Sequence, residues 1–211
     1  VEKLDWEEKK AFVREVAVDY YTDANLAVQL NVLEEDRARE IGRGTIGYGD
    51  VSVRAMATIF KKIKFDTHEN IGSGPIHLPE EELHSSSAWI SFDRGSADYG
   101  DARLEQGLVG MAQALKHIVP LFVMCDPHDV HVVPQVKATH SEKPTIFLYD
   151  RYPGGIGLCD RVYTMMEEIL KEAKRMVSEC RCESGCPSCI GTESVGESAK
   201  QDVIKLISLF D

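Results

Sequence analysis

Four cysteines, Cys180, Cys182, Cys186 and Cys189, fall within ten residues in the stretch Cys-Arg-Cys-Glu-Ser-Gly-Cys-Pro-Ser-Cys. Thiolates are soft, strongly binding ligands, and four of them spaced C-x-C-x3-C-x2-C can surround one metal ion with little help from the rest of a fold. A tetrahedral zinc site places its sulfurs about 2.3 Å from the metal. Gly185 and Pro187 supply turn chemistry beside Cys186. Four protein ligands leave no open position, so a site of this kind organises structure and does not catalyse. Two disulfides would suit a small secreted chain. This chain has 211 residues, and its remaining cysteines, Cys125 and Cys159, stand singly in apolar surroundings, which is the usage of a reducing compartment. An iron–sulfur cluster stays open as the alternative, because some ferredoxin ligand runs end in the Cys-Pro step seen at Cys186-Pro187.

Three weaker constellations accompany the cysteines. Asp150-Arg-Tyr-Pro-Gly-Gly-Ile-Gly follows an expected strand and opens an expected helix. Such turns can hold phosphate at a helix N-terminus, but no Lys follows, and Asp150 and Asp160 bring the wrong charge. The expectation is that Gly154, Gly155 and Gly157 serve a sharp turn. Asp126, His128, Asp129 and His131 lie close together in sequence and are chemically suited to a second metal or an acid–base pair; a polar surface loop is the expected reading. Arg54, Lys61, Lys62 and Lys64 form the densest basic stretch of the first half. On a strand, Arg54, Lys62 and Lys64 share a face, which suits either a phosphate backbone or solvent.

The formal charge is -11. A surface this acidic repels phosphate on average, so any nucleic-acid contact must be local. No Walker-type phosphate loop, no G-x-S-x-G elbow and no H-E-x-x-H occurs, so hydrolysis of a nucleotide by this chain is not expected. No apolar run approaches a membrane span and no targeting segment is visible, so a cytoplasmic location without membrane contact is expected. The sequence begins in mid-pattern at Val1, as expected of a piece of a longer protein.

The elements that would position these residues follow from periodicity. Strands are expected over 12–22, 26–32, 51–65 and 88–92, with a charged connection over 34–50 and a loop over 70–75. Turn residues over 93–101 mark a boundary. Beyond it Leu104, Leu108, Met111, Leu115 and Ile118 form a helical stripe that Pro120 should end. Strands are expected over 121–125, 130–136 and 145–149, and helices over 156–177 and 197–210. The fold class is therefore α+β. An N-terminal antiparallel β-rich part, barrel-like or a curved sheet (1–95), precedes an α/β part (96–211) that ends in the four-cysteine knuckle and a C-terminal helix, with one continuous domain as the alternative division.

The landmarks taken in order resemble a known family. They are Tyr20-Tyr21-Thr22, Leu78-Pro79-Glu80 before Trp89, a Leu-rich helix ending at Pro, Cys125 to Asp129, Tyr149 to Gly157, and the cysteine knuckle. Together they are similar to the C-terminal zinc-binding region of the DEAD/DEAH-box helicases related to the bacterial mitomycin repair helicase, most closely from Leu104 to Ile190. The resemblance implies an accessory domain of an ATP-dependent superfamily 2 DNA helicase acting in DNA repair, the parent moving 3′ to 5′. It implies structural Zn2+ on the four cysteines, with ATP and Mg2+ bound only by motor domains elsewhere in the parent. Those motor domains and DNA would be the partners. The rival readings are a free-standing zinc-stabilised adaptor for protein partners and a metal-dependent hydrolase built on Asp126, His128 and His131.

Overall fold

The structure, a computed structural model, describes residues 1–96, 99–192, 194 and 196–211. Ala97 and Asp98, within the turn expected over 93–101, lie outside the described residues, as do Glu193 and Val195. Contacts group the chain into two units, Val1–Ala27 with Ala55–Glu80, and Val28–Arg54 with Glu81–Asp211.

In the first unit, β1 (Lys3–Asp5) and β2 (Lys10–Phe12) form an antiparallel pair with Leu4 opposite Ala11. The unit also holds the start of β3 (Tyr20–Ile41) and the end of β4 (Gly44–Lys64). The strand expected over 12–22 is therefore interrupted between Phe12 and Tyr20. Residues 70–75 are not a loop: β5 (Asn70–Pro75) pairs antiparallel with β4, Ile59 facing Pro75 and Lys62 facing Gly72. The ladder to β4 overrides the local turn preference of Asn, Gly and Pro, and Pro75 sits at the strand end, where a missing N–H does least harm. Tyr21 and Phe65 pack ring to ring at 5.7 Å.

The second unit carries the rest of β3 and β4, followed by β6 (Glu81–Phe92), α1 (Asp101–Val123), β7 (Val130–Gln135), β8 (Thr145–Asp150), α2 (Leu158–Thr164), α3 (Met166–Glu179) and α4 (Ala199–Ile207). Its strand order is β3-β4-β6-β8-β7, an open sheet rather than a closed barrel. The connection expected over 34–50 is instead strand on both sides of the tight turn at Gly42-Arg43. The charged run of β3 fits because β3 ends the sheet, where charge discourages further pairing. Arg37 pairs with Asp160 and lies over the rings of Tyr48 and Tyr163, while Arg39 pairs with Glu167.

The central strands are apolar on both faces because both faces are covered. Ala88, Ile90, Phe92, Ile146 and Leu148 join the helical stripes in one core cluster. Trp89, Phe147 and Tyr149, alternating with them, join Leu30, Val51 and Val53 in another. The stripe of α1 is buried as its period predicts. Pro120, however, does not end α1, which runs to Val123, and residues 121–125 are not a buried strand: Leu121 and Met124 are exposed. The carbonyl that Pro120 leaves unbonded belongs to exposed Lys116, and Met124 closes the helix in the left-handed region at φ 54. The helix expected over 156–177 is broken at the single residue Met165, across which Ile169 N–H still donates to Met165 O at 3.0 Å. No helix of the described residues is long and apolar enough to cross a membrane.

Candidate metal centre

The knuckle is strung between α3 and α4. Cys180 caps the C-terminus of α3, its backbone turning to an extended conformation (φ -60, ψ 132). The chain then folds back on itself: Cys189 N–H and Ile190 N–H both donate to Cys186 O at 3.1 Å. Gly185 makes the reversal possible. Its φ is 122, and a Cβ there would stand 2.2 Å from Ile190 Cδ1. Cys189 and Ile190 are buried in the helical core, while Cys180, Cys182 and Cys186 are half-buried.

The four Sγ atoms lie within 4.8 Å of one another. Cys180 to Cys186, Cys182 to Cys189 and Cys186 to Cys189 are each 3.6 Å apart. A tetrahedron with arms of about 2.3 Å has edges of about 3.8 Å, so the spacing fits one zinc ion. It is far longer than the roughly 2.05 Å of a disulfide, and all six cysteines are free thiols. In a cluster the four thiolates are divided among two or four irons, and sulfurs on different irons are held further apart, so four sulfurs all within 4.8 Å favour one ion over the iron–sulfur alternative. The thiols differ in how readily they ionise. A hydrogen bond from the Cys182 backbone, helped by the neighbouring thiols, brings Cys180 down to about 7. Burial pushes Cys189 up to about 12, so its thiolate form needs the metal. Cys186 N–H points at Cys189 Sγ at 3.3 Å, a donor ready for that thiolate.

The remaining sequence candidates separate clearly. At the Gly-rich turn, Gly154, Gly155 and Gly157 all have positive φ, as a sharp turn requires. Its amides are already occupied: Asp150, fully buried, accepts from Ile156 N–H at 2.8 Å and Leu158 N–H at 3.3 Å through Oδ2, and from Cys159 N–H at 3.0 Å through Oδ1. Among the described residues the only group of three or more metal-ligating side chains that converges is the cysteine set. Asp126, His128 and Asp129 instead bond within their own loop, with Tyr152 OH donating to Asp129 at 2.7 Å. His131 packs on Tyr149, and burial lowers it to about 4, leaving it neutral. Arg54 lies in the second unit, 3.8 Å from Glu82, whose carboxylate also accepts from Ser52 Oγ. Lys62 and Lys64 lie in the first unit, both half-buried, with Lys62 Nζ 5.2 Å from the Tyr20 ring centre. Sequence reasoning missed Lys200, whose ammonium touches the knuckle. In sequence it sits among polar neighbours, Ser198, Gln201 and Asp202, and looks like an ordinary surface lysine.

Residues 111–190 match the family described as the MrfA Zn-binding domain. Over 207 residues, 98% of this chain, the sequence is 58% identical to the uncharacterised ATP-dependent helicase YprA of Bacillus subtilis, of which 28% is covered. The ATP-dependent helicase HRQ1 of Saccharomyces cerevisiae is 20% identical over 213 residues, 94% of this chain and 20% of that protein. The crystal structure of the DUF1998 helicase MrfA bound to DNA matches 100% of this chain and 28% of its own, with a TM-score of 0.78 and 57% identity. The chain thus spans less than a third of the length of these relatives. With all four knuckle cysteines inside the matched segment, the chain carries a match to the MrfA Zn-binding domain over residues 111–190 and is similar along its whole length to one part of the DUF1998 helicase MrfA.

Proposed function

We propose that this chain is an accessory region of an ATP-dependent superfamily 2 DNA helicase that acts in DNA repair, and that Cys180, Cys182, Cys186 and Cys189 bind one structural Zn2+. The observation that carries the reading is a four-sulfur set with every corner filled by protein, inside a chain that matches helicases over a part of their length. ATP and Mg2+ belong to the rest of the parent, since this chain has no phosphate loop. A cytoplasmic location goes with free thiols.

The first unit supports a partner within the same parent chain. None of its side chains is buried, and Val13, Val16, Leu26, Phe65 and Ile71 are exposed. Strands without a buried face do not hold a stable sheet by themselves. We assign the motor domains of the parent as the surface that covers them. DNA is the second partner, and the MrfA helicase has been crystallised with DNA. Contact through Lys62, Lys64 and Arg54 would go to phosphate, be independent of base sequence, and weaken as salt rises.

The test compares this chain with the parent helicase. The chain alone should show neither ATP hydrolysis nor unwinding, and the parent should show both. Replacing Arg54, Lys62 and Lys64 by Glu in the parent should weaken DNA binding and flatten its salt dependence by about one counterion per lost phosphate contact. ATPase activity that copurifies with the 211-residue chain sinks the accessory reading. An unchanged salt slope removes the basic residues from the DNA contact.

A further inference from the structure

Lys200 is only 7% exposed, which is rare for a lysine. Its Nζ donates to Cys180 O at 2.6 Å and to Cys182 O at 2.9 Å. Its backbone N–H donates to Ser184 O at 2.9 Å. One residue at the start of α4 therefore holds three carbonyls of the knuckle, two of them on ligand cysteines. Among the described residues, no carboxylate forms an ion pair with this ammonium. A buried charge without a counter-charge is strongly unfavourable. Four thiolates around a divalent ion carry two negative charges in excess, and two of the four belong to Cys180 and Cys182, whose carbonyls Lys200 grips.

We propose that Lys200 is a positioning residue of the metal centre. Its ammonium offsets the excess charge of the metal-bound thiolates, and its two hydrogen bonds fix the Cys180–Cys182 segment so that both sulfurs face the ion. The inference rests on the zinc reading and goes beyond it, since Lys200 is not a ligand. Two separate consequences follow. Removing the charge weakens metal binding even where the helix is kept, and restoring the charge with a different donor geometry recovers much of it.

The experiment titrates zinc in the 211-residue chain against a chromophoric chelator, for the wild type, Lys200→Met and Lys200→Arg. Loss of a group that supports metal ligands typically costs about 10–100-fold in affinity, and Lys200→Met should fall in that range. Lys200→Arg should lie within a few-fold of wild type, and circular dichroism at saturating zinc should match for all three. Wild-type affinity in Lys200→Met overturns the proposal. Equal loss in Met and Arg variants also overturns it, since charge would then not matter. If Lys200→Met does not fold, the arginine variant decides: wild-type-like zinc affinity supports the charge role, and a tenfold or greater loss removes it. Failure of the wild type to bind any metal is a different outcome, because it refutes the zinc reading itself.

Discussion

At the scale of single residues, Asp150 and His131 show how burial fixes roles that type alone leaves open. Asp150 fills the amides of its own glycine-rich turn, so the turn is a structural joint between β8 and α2. Asp150→Asn keeps the size but turns one acceptor into a donor facing backbone N–H groups. The expected loss is about 1–3 kcal/mol, read as a lower urea midpoint with an unchanged slope. His131 is neutral when folded because burial lowers it from 6.5 to about 4. The unfolded chain takes up that proton first, so the stability His131 contributes is present above about 6.5 and is lost as pH falls toward 4. His131→Gln should make the stability profile less steep in that window, measured as the difference between the two chains. The cysteines were legible at this scale because thiol chemistry and spacing carry their own geometry. Asp150 and Lys200 were not, because their partners are backbone atoms that no side-chain pattern reveals.

At the scale of elements, the knuckle is the joint between α3 and α4, and both helices bury their apolar stripes in the same core. Metal binding and folding of this segment are therefore coupled. Cys186→Ser or Cys189→Ser should release zinc and lower the melting temperature, and chelation of the wild type should do the same. Acid should also strip the metal, since protons compete for the thiolates and burial raises the proton affinity of the Cys189 sulfur. A melting curve indifferent to chelator would contradict the coupling. Leu108→Ala, in the fully buried stripe of α1, should cost about 2–5 kcal/mol without changing zinc content. Periodicity made α1, β7, β8 and the last helix readable. It failed where pairing decides: Asn70–Pro75 and the charged run of β3 become strands because of their ladder neighbours, and Pro120 is tolerated because the carbonyl it frees belongs to exposed Lys116.

At the scale of the whole molecule, an acidic chain without a phosphate loop combines one unit built on buried helices and sheet with another in which nothing is buried. The family's motifs made the first of these legible, because the knuckle and the glycine turn fall in fixed order. The strands of the other unit were not, since exposure on both faces leaves no mark in an alternating pattern. The account stands on a metal that joins α3 and α4 in the second unit. Its most direct test is zinc content with the coordination shell of the metal, measured on the purified 211-residue chain by elemental analysis and X-ray absorption. The account predicts one zinc per chain with four sulfurs at about 2.3 Å, lost in Cys186→Ser and Cys189→Ser. Iron in place of zinc, or zinc with oxygen and nitrogen neighbours that survives both substitutions, would contradict it.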